Sequence, residues 1–394
     1  MKKIKNLVFI SNYFNHHQKP ICEEIYHLLG DGFKFIETAE ITNERKNMGW
    51  GESIFPSYVI LEKDYKNNIG KYQELINKAD VVIIGSAPEF LIKERKKKNK
   101  LIFRYSERPL KKGMEIFKYF FRFLKWNYQN RYSNIYMLCA SAYTPIDYKK
   151  FFLFKNKFYK WAYFPKVEKY DIDKLIKNKT SNKLNGSFIS ILWVGRFIDW
   201  KHPEIPILLA KSLKKEGYKF KLSIIGTGEL EENLKTMITS NKLIDCVEML
   251  GAMTPDKVRE QMKKADIFLF TSDRNEGWGA VLNESLNSGC AVVASHAIGS
   301  VPFLLENEKN GLIYKDGNFK DFYNKVKILI NNREKRYKLS KNAYLTMTKM
   351  WNADIAAKRL IELSTSILNG NRYPDIFNFG VCSKAKYIED DWFE

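Results

Sequence analysis

The fold of this chain is decided by the stretch Thr271-Ser-Asp-Arg-Asn-Glu-Gly-Trp-Gly-Ala-Val-Leu-Asn-Glu284, which follows the apolar run Ala265-Asp-Ile-Phe-Leu-Phe270. The apolar run is short and rich in aromatic and branched residues, which indicates a buried strand. Gly277 and Gly279 allow a sharp turn, and the apolar residues from Ala280 onward recur at helical spacing. The stretch therefore predicts a strand, a tight turn and the start of a helix.

A helix that begins near Gly279 presents the free amides of its first turn to the strand end, where they favour an anion such as a phosphate. Glu276 precedes this anion site, and Glu284 lies in the second turn of the helix, about 10 Å further along. A nucleotide diphosphate-sugar carries sugar hydroxyls, a diphosphate and ribose hydroxyls in the same order. The stretch is therefore suited to bind such a molecule.

Two glutamates separated by seven residues, with Gly-x-Gly between them, resemble the pattern of the retaining GT-B glycosyltransferases. The similarity is to family 4 (glycosyl transferases group 1), which includes sucrose-phosphate synthases and many bacterial capsule and O-antigen enzymes. The resemblance implies an α/β chain of two doubly wound Rossmann-like domains that face each other across a cleft. It implies that Glu276 orients the donor sugar and that Glu284 holds the ribose. The other donor contacts implied between them are Gly277, Trp278, Gly279, Ala280, Val281 and Leu282.

A second segment, Phe188-Ile-Ser-Ile-Leu-Trp-Val194, predicts a buried strand that runs into Gly195. Arg196 and Lys201 follow on the loop before the next helix, and they resemble the family's Gly-Arg-...-Lys segment, whose two cations clamp the donor diphosphate. The leaving nucleotide gains negative charge as the glycosyl bond breaks, so fixed cations lower the barrier. Arg196 and Lys201 are therefore expected to act in catalysis together with Glu276.

Two further glycines extend this resemblance. Gly226 belongs to a Gly-x-Gly after the next apolar run, and Gly251 ends the run after that, where relatives hold the base through backbone contacts. The resemblance is continuous from about Ile189 to Tyr314. Both glycines are therefore expected to contact the donor.

The first half of the chain alternates short apolar runs with helical patterns, which predicts a parallel sheet with ligands at the carboxyl ends of its strands. The loop after the first run carries Asn15, His16 and His17 where the family often has a glycine pair, as in a subgroup from capsule and O-antigen clusters. Asn15 and His16 face the cleft in one interpretation and bond to a helix start in the other. Glu107 and Arg108 follow a later predicted strand and are the nearest polar candidates there for a position in the cleft. The alternative is that they form an exposed ion pair on a loop.

The predicted domain organisation has four parts. Residues 1–170 form an acceptor-side Rossmann-like domain, 171–187 a polar linker, 188–365 the nucleotide-sugar domain, and 366–394 a segment that could cross back to the first domain. The segment from Tyr143 to Lys160 is predicted to be helical. Asp171-Ile-Asp173 matches a metal-binding Asp-x-Asp string but lies in the charged linker, so it is interpreted as solvated. We expect no metal or other cofactor.

The amino-acid composition indicates the cellular location of the protein and the kinds of partner that it binds. Five cysteines are scattered without a C-x-x-C pair, which indicates reduced thiols in a cytoplasmic protein. No apolar segment approaches the roughly 18 residues of a membrane span. The net charge of +21 favours an anionic partner, which is nucleic acid, an anionic membrane surface or a phosphorylated substrate. The alternative is that the charge reflects only a lysine-rich composition.

The stretch from Leu110 to Asn130 interleaves aromatic and basic residues and contains a single acid, Glu115. This composition is typical of a membrane-surface helix, although the aromatic residues of an ordinary helix would pack on the sheet instead. Lys93-Glu-Arg-Lys-Lys-Lys-Asn-Lys100 adds positive charge. We therefore expect peripheral contact with the anionic inner face of the cytoplasmic membrane.

The function expected from the sequence is transfer of a sugar from a nucleotide diphosphate-sugar, with UDP favoured over GDP, in surface polysaccharide synthesis. The acceptor is expected to be a glycan or a lipid-linked saccharide. A sugar-nucleotide epimerase of similar fold is one alternative, and a basic nucleic-acid binding protein is another. No recognised nucleic-acid motif occurs in the sequence, so nucleic acid is not the expected partner.

Overall fold

The computed structural model describes residues 3–42, 54–111, 113, 116–130, 134–181 and 188–393. The chain divides into two compact units. Unit 1 consists of Met1–Lys166 and Trp351–Asp390, and unit 2 consists of Val167–Met350 and Asp391–Glu394. Unit 1 is therefore built from the first part of the chain and from a second segment, Trp351–Asp390, that follows unit 2.

Unit 1 is a doubly wound α/β unit. Its strands are β1 (Leu7–Ser11), β2 (Phe33–Glu37), β3 (Val59–Ile60), β4 (Val81–Ile84), β5 (Ile102–Ser106), β6 (Ile135–Cys139) and β7 (Phe158–Lys160). Its helices are α1 (Lys19–Leu29), α2 (Glu62–Asn67), α3 (Ile69–Lys78), α4 (Lys93–Lys97), α5 (Ile116–Asn130) and α6 (Thr144–Lys149), joined by α15 (Ala353–Leu368) from the end of the chain. In the described part of unit 1 the parallel sheet has the order β3-β2-β1-β4-β5-β6-β7.

Unit 2 repeats this architecture. Its strands are β8 (Ile189–Val194), β9 (Phe220–Ile225), β10 (Val247–Met249), β11 (Ile267–Phe270), β12 (Ala291–Ser295) and β13 (Leu312–Tyr314). Its helices are α7 (Ile172–Ser181), α8 (Glu204–Lys215), α9 (Glu231–Ser240), α10 (Pro255–Lys264), α11 (Ala280–Asn287), α12 (Val301–Leu304), α13 (Phe319–Asn331) and α14 (Arg333–Lys349). Over the described residues its parallel sheet has the order β10-β9-β8-β11-β12-β13.

The central strands of unit 2 explain why the sequence folds in this way. Strands β11 and β12 are buried along their whole length, as expected for parallel strands covered by helices on both faces. Trp193 of β8 and Leu269 of β11 belong to one continuous hydrophobic core. The reversal of strand order between β8 and β11 creates the position at which ligands of doubly wound sheets bind.

The predicted linker differs from the structure because it contains helix α7. Lys179 of this helix is buried, and its ammonium group donates hydrogen bonds to the carbonyl oxygens of Ala265 at 2.8 Å and Gly289 at 2.6 Å. A lysine that satisfies buried carbonyl groups resembles a solvated lysine in the sequence, so the polar composition concealed the helix. Residues 182–187 of the predicted linker lie outside the described residues.

The predicted end of the second domain at residue 365 falls inside α15. This helix packs against α1 and is assigned to unit 1, so unit 2 ends its main segment at Met350. The apolar side chains of Leu360 and Leu363 are fully buried. Helical periodicity alone could not show which sheet this apolar face covers.

The predicted helix from Tyr143 to Lys160 is also shorter in the structure. Helix α6 ends at Lys149, and Phe152, Phe154 and Asn156 then adopt left-handed backbone angles with φ of 56°, 56° and 62°. Left-handed residues end a right-handed helix, and the chain continues into β7 beside β6.

Among the described helices none is long and apolar enough to cross a membrane.

Candidate functional site

The two predicted donor segments meet at the carboxyl ends of β8 and β11, where the strand order of unit 2 reverses. The ammonium group of Lys201 forms an ion pair with the carboxylate of Glu276, and both side chains are mostly buried. The hydroxyl of Ser272 also donates to Glu276 Oε2 at 3.2 Å. Residues that stand 75 positions apart in the sequence thus form one charged centre.

The loop that carries Lys201 is held by a chain of hydrogen bonds. Trp193 Nε1 donates to Thr271 Oγ1 at 2.8 Å, and Thr271 Oγ1 lies 2.9 Å from the carbonyl oxygen of Lys201, to which it donates. The backbone amide of Asp273 donates to the carbonyl of Trp200 at 3.1 Å. These contacts fix the loop after β8 to the loop after β11 and so fix the position of Lys201 relative to Glu276.

Arg196 lies on the same loop with its side chain exposed. Its guanidinium group is 5.9 Å from the centre of the Trp200 ring, and Lys201 Nζ is 4.7 Å from the same ring. One indole therefore contacts both predicted cations. Such contacts favour a cation over the ring, so Trp200 helps to orient the pair.

Gly226 and Gly228 allow the loop after β9 to pack against the loop after β8. A Cβ atom on Gly226 would lie 1.8 Å from the carbonyl oxygen of Gly195, and one on Gly228 would lie 2.5 Å from that of Phe197. Both glycines have positive φ, 145° and 156°. Gly226 therefore packs closely against the loop after β8, whereas the sequence predicted only a contact between Gly226 and the donor. Gly251, with open space around it, accepts a hydrogen bond from the Gly226 amide at 2.9 Å.

Gly279 is the N-cap of helix α11 and has a φ of 80°, a left-handed angle that favours glycine. A Cβ atom there would lie 2.3 Å from Cζ of Phe270. Ala280 and Val281 form the partly exposed first turn of the helix. The amides of a first turn have no partner within the helix, which makes this end an anion-binding position.

The side chains of Trp278 and Leu282 are fully buried. Trp278 Nε1 donates to Asn283 Oδ1 at 2.9 Å, and its ring packs near Phe303. Because these side chains belong to the core of unit 2, only the backbone of Trp278 and Leu282 remains for a ligand. Gly277 between them and Glu276 is buried as well.

Glu284 occupies a partly exposed position in α11 with protein on most sides. Burial raises the pKa of its carboxyl group to about 7, and the nearby charge of Arg259 opposes that shift. Arg259 itself donates to Asn287 Oδ1. Within the described residues the structure records no hydrogen bond to the Glu284 carboxyl group, so its acceptor capacity is available to a ligand.

A network next to Lys201 was not predicted from the sequence. His202 contacts Glu204 Oε1 through Nδ1 at 3.0 Å and approaches Asp273 Oδ2 through Nε2 at 3.7 Å. The hydrogen bond with Glu204 raises the pKa of His202, and the carboxylate of Asp273 adds to this effect. The sequence shows only that a histidine stands next to Lys201. Its contact with Asp273 could not be predicted, because Asp273 lies 71 positions away.

The candidates after β1 serve the backbone of unit 1. Asn15 is buried, and its Oδ1 accepts a hydrogen bond from the His17 amide at 2.9 Å. The carbonyl oxygen of Asn15 accepts from the amides of Gln18 and Lys19 at the start of α1. His16 is partly exposed, and its ring lies 3.9 Å from that of His17. Of the two interpretations of Asn15, these bonds match the helix-start one.

Glu107 and Arg108 do not form an exposed ion pair. Arg108 is buried between Asp147, at 3.1 Å, and Asp390, at 2.7 Å. Glu107 accepts a hydrogen bond from the hydroxyl of Tyr163 at 2.7 Å and pairs with Lys111 at 3.0 Å. The acids that neutralise Arg108 lie 39 and 282 positions away, which explains why its burial could not be predicted.

The arrangement in unit 2 combines two cations, a helix N-terminus and two carboxyl groups along one edge of the sheet. Fixed cations and amides stabilise a diphosphate, whereas carboxylates accept hydrogen bonds from hydroxyl groups. In the part of the chain that the structure describes, no group of three or more His, Cys, Asp or Glu residues could hold a metal ion.

Residues 176–346 match the family described as Glycosyl transferases group 1. The match covers all the candidate site residues of unit 2, but fewer than half of the residues of the chain. The similarity to this family therefore lies within unit 2.

Two curated relatives are similar to parts of the chain. The amylovoran biosynthesis glycosyltransferase AmsK of Erwinia amylovora is 34% identical over 134 residues, 33% of this chain and 33% of the relative. The putative colanic acid biosynthesis glycosyltransferase WcaL of Escherichia coli K12 is 32% identical over 128 residues, 31% of each chain. The chain thus spans about a third of the length of these relatives.

Nearly the whole chain is similar in fold to solved structures. The crystal structure of Anabaena HepE in complex with UDP is similar with a TM-score of 0.67 and 14% identity, over 92% of this chain and 100% of that one. An identity this low shows the fold alone. The two doubly wound units of this chain therefore have the GT-B fold.

Proposed function

We propose that this protein is a retaining glycosyltransferase that moves a sugar from a nucleotide diphosphate-sugar to a glycan or a lipid-linked saccharide. The observation that carries the proposal is the meeting of Lys201 and Glu276 beside the N-terminus of α11, where the strand order of unit 2 reverses. The names of AmsK and WcaL support surface polysaccharide synthesis, and the UDP bound to HepE supports a UDP-sugar donor.

Different residues of unit 2 bind different parts of the donor. Arg196, Lys201 and the first amides of α11 hold the diphosphate, so the proposed reaction needs no metal ion. Glu276 orients the hydroxyl groups of the transferred sugar. Glu284 accepts hydrogen bonds from the ribose hydroxyls with a carboxyl group that has no recorded partner in the described structure.

The ion pair between Lys201 and Glu276 suggests how donor binding organises the site. A diphosphate is a stronger partner for an ammonium group than a single carboxylate because it carries more charge. Donor binding therefore draws Lys201 to the phosphate and frees Glu276 to accept hydrogen bonds from the sugar. Until then the pair keeps both charges neutralised in a mostly buried position.

The chemical step is a displacement with retention at the anomeric carbon. The bond between this carbon and the β-phosphate oxygen breaks, and the acceptor oxygen forms its bond on the same face. The leaving phosphate takes the proton of the acceptor hydroxyl. Lys201 and Arg196 stabilise the negative charge that develops on the phosphate.

The proposed location is the cytoplasm, at the inner face of the membrane. All five cysteines are free thiols, and four of them are buried. Free thiols persist in reducing compartments, which supports a cytoplasmic location. Nucleotide-sugars and lipid-linked acceptors would meet there.

The proposal is tested with UDP-glucose, UDP-N-acetylglucosamine and GDP-mannose in excess EDTA. We expect at least one donor to raise the melting temperature and to be hydrolysed slowly to a sugar of retained anomeric configuration. Glu276→Gln should keep its affinity for UDP in calorimetry and lose hydrolysis. Lys201→Ala should lower turnover by about 100-fold, as removal of one oxyanion-stabilising group does.

Two exposed residues of unit 2 provide matched controls, Glu248→Gln and Lys211→Ala, which should leave hydrolysis unchanged. Failure of every donor to bind would refute the proposal. Release of an epimerised sugar would favour an epimerase. Activity that vanishes in EDTA and returns with manganese would show that the site needs a metal ion.

A further inference from the structure

Helix α5 carries a stripe of exposed apolar side chains on unit 1. Phe120, Phe121, Leu124 and Tyr128 are all exposed, and Phe121 retains 71% of its accessible surface. Their spacing of one, three and four residues places them on one side of a helix. Lys112 of the predicted basic stretch lies outside the described residues, and the side chains of Phe117 and Lys118 are not described.

The opposite side of α5 fixes the orientation of this stripe. The Trp126 ring packs 5.2 Å from that of Tyr148 and 4.7 Å from that of Phe151. Asn127 Nδ2 donates to the carbonyl oxygen of Phe151 at 3.1 Å. Trp126, one of the aromatic residues of the stretch from Leu110 to Asn130, therefore anchors the helix to unit 1, and the stripe points away from this anchor.

Phe152 extends the same surface. It lies on the loop after α6, it is 84% exposed, and its ring meets that of Phe123 edge to face at 6.4 Å. Its φ of 56° is a left-handed angle that a bulky residue adopts at a cost. The structure therefore holds a large apolar ring in water beside the stripe. We call Phe120, Phe121, Leu124, Tyr128 and Phe152 the aromatic platform.

Positive charge surrounds the platform. The described part of α5 contains no acidic residue, and neither does the segment from Tyr148 to Phe158. Lys125 on α5 and Lys149, Lys150 and Lys155 on that segment are exposed. An apolar stripe with a cationic rim complements a surface that offers both hydrocarbon and negative charge.

We propose that the aromatic platform docks this protein on the surface of an anionic lipid bilayer. The apolar rings enter the region between headgroups and acyl chains while the lysines contact lipid phosphates. The contact is reversible because it relies on a few side chains and on charge that salt screens. Docking goes beyond sugar transfer and does not depend on the donor chemistry.

Two other occupants fit the platform less well. A second copy would bring an identical cationic rim against this one, and like charges at a two-fold interface repel each other. A single-stranded nucleic acid would stack on the rings, but Leu124 has no aromatic face, and the platform lies on the outside of a helix. A bilayer accepts aliphatic and aromatic groups alike.

Vesicle sedimentation with the full chain tests the proposal. Wild-type protein should bind vesicles of phosphatidylcholine with roughly 30% phosphatidylglycerol, a proportion chosen for its anionic charge. Binding to pure phosphatidylcholine and binding in high salt should be about tenfold weaker or more. Phe121→Ser with Leu124→Ser, and separately Lys125→Gln with Lys155→Gln, should each lower partitioning by about tenfold.

Matched controls lie on unit 2. Ile244→Ser removes an apolar side chain that is also 71% exposed, and Lys211→Gln with Lys257→Gln removes the same number of exposed charges. Both controls should sediment like the wild type. UDP-glucose hydrolysis serves as an independent readout of the donor site, so a protein that binds vesicles without hydrolysing any donor would retain the docking and lose the proposed function.

Three results would overturn the docking. The first is failure of the wild-type protein to sediment with anionic vesicles at low salt. The second is equal loss of binding in the unit 2 controls. The third is a dimer, or binding of a random single-stranded oligonucleotide, that disappears with Phe121→Ser and Leu124→Ser while vesicle binding is unaffected.

Discussion

At the scale of single residues, burial changes the acid chemistry of Glu284. Its pKa is raised to about 7 by burial, so the carboxyl group is neutral in acid and ionises only near neutral pH. An acid with a raised native pKa contributes stability below its unfolded pKa of roughly 4.5 and loses it as pH rises through about 7. The folded protein should therefore lose up to about 3 kcal/mol of stability from this group between those values.

The prediction for Glu284 is that Glu284→Gln removes this loss. We expect the variant to gain stability over the wild type at about pH 8.5, by about 1 to 3 kcal/mol, and to gain little at about pH 5. Urea denaturation at both pH values measures the difference. Glu248→Gln, at an exposed position of the same unit, should show no such change between the two pH values. An equal pH dependence in both variants would contradict the prediction.

Arg108 shows what prediction at the scale of single residues missed. Its position after a strand suggested a loop side chain, yet it lies buried between Asp147 and Asp390 with its guanidinium 4.8 Å from the Tyr143 ring. Each partner comes from a distant part of the chain. A sequence shows which residues carry charge, whereas the pairing of charges across tens or hundreds of positions emerges only when the chain folds.

At the scale of elements, the meeting of Lys201 and Glu276 could be predicted. Each follows a short buried strand, and parallel strands end at the same edge of a sheet. The pair therefore had to lie at one edge wherever the two strands stood in the sheet. The contact of Gly226 with Gly195 could not be predicted in the same way, because a Gly-x-Gly motif gives no indication of which backbone it approaches.

The loop after β9 supplies the prediction at this scale. Gly226→Ala places a Cβ atom against the carbonyl oxygen of Gly195 and so displaces the loop that carries Arg196 and Lys201. We expect a loss of about 2 to 4 kcal/mol, from overpacking and from the positive φ, and weaker binding of UDP. Thermal unfolding and calorimetry measure the two effects.

Gly217→Ala is the control for this variant. Gly217 also has positive φ, 77°, but a Cβ atom added there would meet no other atom within 4 Å. It should lose only about 1 kcal/mol and bind UDP normally. If both variants lost the same stability and the same affinity, the contact between the two loops would not explain the glycine.

On the scale of the whole molecule, the sequence predicted two doubly wound units but not the course of the chain between them. The polar segment after residue 170 folds as α7 because one of its faces carries Ile172 and Lys179, which are buried. The last helix, α15, belongs to unit 1 although it follows unit 2 in the chain. Composition identifies a polar segment, and periodicity identifies a helix, but neither shows which core an element joins.

The segment that follows α15 completes unit 1 through contacts with β6 and β7. The hydroxyl groups of Tyr136 and Tyr159 donate to the carbonyl oxygens of Arg372 and Pro374, each at 2.9 Å. The backbone of Lys160 exchanges hydrogen bonds with residues 382 and 383 beside β7. These contacts satisfy buried hydroxyls and cover the last strand of the sheet in the described part of unit 1.

Truncation after Gly370 should therefore loosen unit 1 and spare unit 2. It removes the acceptors of both tyrosine hydroxyls and exposes the edge of β7, so we expect amide exchange in β6 and β7 to quicken by about tenfold or more. Exchange in β8 to β13, followed by mass spectrometry, should change no more than it does when residues 391–394 alone are removed. Removal of residues 391–394 alone, which belong to unit 2, is the control and should leave β6 and β7 protected. Faster exchange throughout both sheets after the longer truncation would show that the segment supports the whole molecule instead of unit 1.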